Sequence, residues 1–240
     1  MILSPNRRRF KAAESPLCLC HADLLSFTEW INTSSSWRFL QIGKGAACFI
    51  VNNMPIRLAQ GDMMVFSPAN KAHLSNSAVG AVSIHYFVFH PEAFHPFLTL
   101  YELKHFLDCA KQSHYAQRHF PARHPHALAF AAIVVASATS CEIALRARCL
   151  HLVAKVFQVP MPTPRYQTGR EPWTHSHIRF ETLSKEMSAL DLLNMPTKEL
   201  ARLCDCAPRT MRRVLETYFG LNILRIKQQF HSINHKHLPN

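Results

Sequence analysis

From Trp37 to Phe89 apolar and polar positions alternate in short runs: "WRFLQIG", "GAACFIVNN", "MPIRLAQGDMMVFSPAN" and "AVSIHYFVF". Gly43, Gly45, Asn52-Asn53, Gly61-Asp62 and Pro68 punctuate them. A period of two bounded by turn residues predicts antiparallel strands in a sandwich or barrel. Strands this short are unstable alone and must close on one another.

After Pro91 the period lengthens. "EAFHPFLTLYELKHFLDCAKQ" and "ALAFAAIVVASATSCEIALRARCLHLVAKVFQV" carry apolar residues at helical spacing, with Leu145, Cys149, Leu152 and Val156 on one stripe. That stripe packs either on the strands or on a second copy of the chain. In "VPMPTPRYQTGREPW", Pro160, Pro162, Pro164 and Pro172 hold the backbone out of helix and sheet, as in a linker. Beyond it Phe180, Leu183, Met187, Leu190 and Leu193 predict one helix ending near Asn194-Met195-Pro196. The divisions are therefore 1–157 for the strand-rich domain, 158–174 for the linker and 175–240 for a helical domain.

Composition narrows the classes. At 240 residues and 48% hydrophobic content the chain can build real cores, so disorder is not its default. Lys and Arg exceed Asp and Glu by 27 to 15, and a charge of +12 favours a polyanionic partner. No apolar run of secretory length follows Arg7-Arg8-Arg9, and Ala127 to Leu145 is interrupted by Ser137, Thr139, Ser140 and Glu142. These features predict a cytoplasmic protein with no membrane partner. Cys18/Cys20 and Cys204/Cys206 are separated by one residue, too few for a zinc knuckle, so free thiols are expected. The pairs His124/His126, His175/His177 and His235/His237 lack a matching second pair, so no metal and no cofactor is expected.

The most informative stretch is "ELARLCDCAPRTMRRVLETYFGL". Thr197 can cap a short helix whose inward face is Leu200, Ala201 and Cys204. The chain turns at Asp205-Cys206-Ala207, and Pro208 suits the first position of a second helix, where its missing N–H costs nothing. At 100° per residue Met211, Val214, Leu215 and Tyr218 share one side of that helix, and Arg209, Arg212, Arg213 and Glu216 the other. Gly220 follows where a left-handed residue ends helices. Two short helices across a tight turn, the second cationic, form a helix-turn-helix layout. Such a helix fits the major groove of duplex DNA, with guanidinium groups on guanine edges or phosphate oxygens. Arg209 and Arg212 are the candidates for base edges; Arg213, Arg202 and Lys198 are candidates for phosphates, and Thr210 lies among them.

Leu183 to Gln229 resembles the first helix-turn-helix of the AraC family of bacterial transcription regulators, in which Ser-Pro commonly opens the recognition helix and aromatic-Gly ends it. Here Ala207 stands at the serine's place, so the usual cap is absent. "WRFLQIGKGAACFIVNNMPIRLAQGDMMVFSPANKAHLSN" looks like that family's cupin-type sensing barrel, with Gly61-Asp62 before one strand and Pro68 after it. The resemblance implies an α+β protein: an N-terminal antiparallel β-barrel with flanking helices, then an all-α DNA-binding domain. It also implies a homodimer, double-stranded DNA as partner and a small-molecule effector. The family's second helix-turn-helix is expected to be missing, because "FHSINHKHLPN" does not continue an apolar helical period.

The function expected is a sequence-specific transcription regulator, not an enzyme. The alternatives are a truncated partner that only dimerises with an intact relative, and a catalytic cupin. A metal-dependent cupin needs a close His pair, a carboxylate and a later His. Around Gly43 to Phe89 there are only His73, read as a loop residue, and His85, read as a strand residue.

Overall fold

The computed structural model describes residues 9–11, 16–25, 29–31, 36–51, 54–68, 72–76, 81–112, 117–157 and 174–220. The expected linker, Thr174 apart, lies outside them, as do Arg7-Arg8, His235/His237 and the tail beyond Gly220. The chain divides into two compact units: Met1–His90 with Cys109–Pro160, and Pro91–Asp108 with Met161–Asn240.

Among the described residues the first unit holds ten strands: β1 (Arg9–Lys11), β2 (Cys20–Leu24), β3 (Glu29–Ile31), β4 (Trp37–Lys44), β5 (Ala47–Val51), β6 (Met54–Leu58), β7 (Met63–Phe66), β8 (Ala72–Asn76), β9 (Val82–Phe89) and β10 (Gln117–Phe120). They form two open five-stranded sheets, ordered β1-β3-β8-β5-β6 and β10-β7-β4-β9-β2. Among these described strands only β1 and β3 pair in parallel. The closed barrel expected from the sequence is thus replaced, among the described residues, by a sandwich whose ladders stop at β6 and β1 and at β10 and β2. Pro55 sits in β6, where a residue without an N–H is tolerated because the strand is an edge.

One core fills the space between the sheets, with Leu40, Ile42, Met64, Phe66, Ile84 and Tyr86 from one and Phe49, Leu58 and Leu74 from the other. In β5 the expected alternation holds: Ala47 and Phe49 are buried, Cys48 and Ile50 half-buried. In β4 it fails, since Trp37 to Ile42 are all buried. Helices cover the second face, and a strand covered on both faces reads as a continuous apolar run. Those helices are α2 (Pro125–Ala136) and α3 (Glu142–Phe157). Phe130 of α2 stacks on Phe87, which lies flat on Phe39 at 4.6 Å, and Phe157 of α3 meets Trp37 edge-on at 4.7 Å.

The segment Ala127 to Leu145 is therefore a helical hairpin, broken after Ser137. No helix among the described residues is long and apolar enough to cross a membrane. The stripe of Cys149, Leu152 and Val156 is buried within the protein, with Leu145 half-buried, which decides between its two readings in favour of the intramolecular core. His73 lies in β8 opposite Ile50, not in a loop, while His85 lies in β9 as read.

The second unit contains a short 3-10 turn (Pro91–Phe94), α1 (Leu100–Lys111) as far as Asp108, α4 (His175–Glu186), α5 (Ala189–Asn194), α6 (Thr197–Leu203) and α7 (Pro208–Phe219). Where one helix was expected up to Asn194, the chain breaks at Met187-Ser188. Met187 is extended, and the Ser188 hydroxyl accepts from the Asp191 amide at 3.1 Å, capping a new helix. Leu100 and Leu103 of α1 are buried with Phe180, Leu192, Leu200, Met211, Val214 and Leu215, so this mid-chain segment shares a core with the C-terminal helices. A division read along the sequence, with 1–157 as one domain, does not anticipate that placement.

Candidate nucleic-acid interface

The turn between α6 and α7 is closed by backbone bonds. The Asp205 amide donates to the Arg202 carbonyl at 3.2 Å and the Cys206 amide to the Ala201 carbonyl at 2.9 Å, the two bonds of a Schellman motif. Its left-handed position, usually glycine, is Asp205 at φ 52°; aspartate tolerates this region better than most residues. The Asp205 carboxylate is 3.3 Å from the Arg179 guanidinium of α4, which ties the turn to its neighbour. Sequence reasoning missed that tie, since no local spacing joins residues this far apart.

α7 begins at Pro208 and ends at Gly220, left-handed at φ 66°. Ala207 is extended and supplies no side-chain acceptor. α6 departs from expectation at its start: Pro196 occupies the cap and Thr197 is already the first helical residue, without a side-chain cap.

Packing sorts the faces of both helices. Leu200, Ala201 and Cys204 meet Met211, Val214 and Leu215, all buried. Burial pushes the Cys204 thiol up to about 11, with neighbouring Cys206 adding to the shift and Arg179 opposing it, so Cys204 stays a neutral apolar filler. Tyr218 closes the lower end, its ring edge-on to Phe180 at 5.2 Å and its hydroxyl 3.1 Å from Ser184 Oγ. Burial drives its hydroxyl up to about 12, against a lowering by the Ser184 bond.

The opposite face carries the predicted residues. Arg209, Arg212 and Arg213 of α7 and Lys198 and Arg202 of α6 are exposed, and Thr210 is half-buried. Among the described residues none of these cations forms an ion pair, although the acidic Asp205 nearby does so with Arg179. The helix-turn-helix thus presents one or two turns of unneutralised guanidinium groups above a buried apolar base, a surface able to take phosphate oxygens and base edges.

No family model matches the sequence, and no curated protein matches it. Among solved structures, apo ToxT from Vibrio cholerae is 11% identical, with 87% of this chain and 96% of that one aligned at a TM-score of 0.42. The AraC-like transcriptional activator CuxR is 9% identical, with 85% and 68% aligned at 0.34. A cupin protein from Bacteroides fragilis is 12% identical, with 36% and 86% aligned at 0.28. At these scores the likeness assigns neither a family nor an activity.

The histidines tested for a catalytic cupin do not converge. His73 lies in one sheet and His85 in the other, where its ring is 4.8 Å from that of His21. Among the described residues no group of three or more His, Cys, Asp or Glu side chains is placed to hold a metal ion.

Proposed function

We propose that this chain is a sequence-specific DNA-binding transcription regulator and not an enzyme. α7 enters the major groove, Arg209 and Arg212 reach base edges, Arg213, Arg202 and Lys198 hold phosphates, and Thr210 sits at the backbone. The observation that supports this reading most is the arginine face of α7: exposed, without an acidic partner among the described residues, and backed by the buried Met211, Val214 and Leu215. A cytoplasmic location goes with it.

The same reading makes the first unit a sensing and dimerising domain. Leu128, Ala132 and Val135 on α2 and Ile143, Ala147 and Leu150 on α3 form a second apolar stripe turned outward, with Val135 76% and Ile143 79% exposed. Alanines at its centre allow close helix approach, which supports pairing with a second copy. A groove of about 430 Å³ between α2 and α3, lined by Ala129, Ala132, Ile133, Ala147 and Leu152, shares its alanines Ala132 and Ala147 with that stripe; it is of a size for a small-molecule effector, which a second copy packed there would cover.

Electrophoretic shifts on duplex DNA across a salt series test the central claim. The three cations placed on phosphates predict a log–log slope of roughly −3 per bound chain at about −0.9 per phosphate. A flat slope would remove the regulator reading.

A further inference from the structure

The helix that reads DNA in this proposal is held in part by a segment about a hundred residues upstream of it. Residues 91–108 are joined to the C-terminal helices by three kinds of contact. First, the opening amides of α5, which have no acceptor within their own helix, are satisfied from this segment: Ala189 N–H donates to the Leu98 carbonyl at 2.8 Å and Leu190 N–H to the His95 carbonyl at 3.1 Å. Thr99 and Ser188 form an isolated bridge beside them. Second, Leu100 and Leu103, each 1% exposed, fill the core that carries Met211, Val214 and Leu215. Third, Lys104 Nζ sits 5.3 Å above the ring of Tyr218 on α7 while pairing with Asp108 one turn along α1.

The start of α1 is fixed independently. Thr99 Oγ1 accepts from the Glu102 amide at 3.2 Å and Glu102 Oε2 accepts from the Thr99 amide at 2.8 Å, a reciprocal capping box. That box sets the register that brings Leu103 and Lys104, on adjacent positions, to the core and to the Tyr218 ring respectively. Lys185 of α4 reaches back over Tyr101 of α1 at 5.1 Å, a second cation–ring contact between α1 and the C-terminal helices.

We infer that residues 91–108 are a working part of the DNA-reading unit, and that Leu103 and Lys104 are positioning residues that hold α7 through the shared core and the Tyr218 ring. Neither touches DNA. The inference rests on the proposed function only for its binding readout; the placement of α7 is read separately.

The test uses the full chain with Leu103→Ala, Lys104→Met and Lys104→Arg, followed by hydrogen exchange of the α7 amides and by DNA affinity at several salt concentrations. Leu103→Ala is expected to speed α7 exchange by at least about tenfold while β4 and β9 amides keep their rates. Lys104→Met should speed α7 exchange and weaken DNA binding by roughly twofold to thirtyfold with the salt slope unchanged, and Lys104→Arg, which keeps the cation over the ring, should restore both. In a Tyr218→Leu background Lys104→Met should add nothing.

Unchanged α7 exchange in both Leu103→Ala and Lys104→Met overturns the inference. So does a salt slope shallower by about one in Lys104→Met, which would place Lys104 on a phosphate. If Leu103→Ala unfolds globally, the two Lys104 variants decide. If the wild-type chain binds no DNA, the regulator reading falls while the exchange data still judge the positioning role.

Discussion

Ala207 is the cap residue of α7, extended at φ −69° and ψ 149°, yet its methyl group accepts nothing from the amides of Arg209 and Thr210. The backbone is already in cap geometry and the side chain is exposed, so a hydroxyl or carboxylate can be added there without displacing a neighbour. Ala207→Ser is expected to stabilise the helical unit by about 1 kcal/mol, from a typical range of ~0.5–2. Such a gain raises the melting temperature of a domain of this size by about 4–8 °C. Ala207→Asp adds a favourable charge at the positive end of the helix, ~0.3–1 kcal/mol more. The two variants diverge on DNA: serine leaves affinity unchanged or better, whereas aspartate sets a negative charge beside the phosphates and lowers it. Urea unfolding with α7 amide exchange measures the first effect and shift assays the second. If neither variant slows exchange in α7, the helix does not begin at Pro208 and the cap argument is wrong.

Arg212→Ala should relax preference at one base pair by about 1–3 kcal/mol, while Lys198→Ala should weaken all sequences alike and reduce the salt slope by about one; binding to a randomised site library separates them. Gly43→Ala should destabilise the sandwich by about 1–3 kcal/mol, because the new methyl would lie 2.8 Å from the His85 ring and from Ser83 Oγ, and urea midpoints will show it. The first unit should weaken on acidification from pH 7 to 5. Burial and neighbouring His124, Arg118 and Lys155 lower His126, and burial and His21 lower His85 against a smaller opposing pull from Asp23. The unfolded chain then binds protons below its ordinary histidine range before the folded one does, so stability rises with pH in that window; a urea midpoint unchanged across it would contradict this.

Local chemistry carried the sequence reading furthest where it acts within a few residues. Pro208, Gly220 and the three-residue turn at Asp205 each impose a backbone state on their own positions, so α7 and its two faces were legible before any contact was known. The strands were legible where burial alternates, as in β5, and ambiguous in β4, where α2 and α3 bury the second face; β2 precedes the run read as strands. Closure of the sheets was not legible: it depends on which edges find a partner, and Pro55, in the edge strand β6, is compatible with an open edge there. The break at Ser188 escaped because an apolar stripe continues through it in sequence while the backbone amides turn to Leu98 and His95. The Arg179–Asp205 tie and the Lys104–Tyr218 contact are tertiary and leave no periodic signature.

The charge layout of α7 argues for a role outside the fold. A helix built only for stability places acids in its first turn and bases in its last. α7 has no acid in its first turn and no base in its last, and Arg209 sits on the positive end. Arg209 also stands one turn from both Arg212 and Arg213, like-charge spacings that oppose the helix. Such local violations concentrate at functional sites. Arg209→Gln keeps helix propensity and length but removes the misplaced charge, so it should stabilise α7 by about 1 kcal/mol in all. The same change should cost DNA affinity about fivefold to 150-fold, a base-edge pair being worth about 1–3 kcal/mol. Opposite signs in the two assays are what a binding residue produces. Loss of stability in Arg209→Gln would mean that the arginine serves the fold, and the proposed reading face would lose its leading residue.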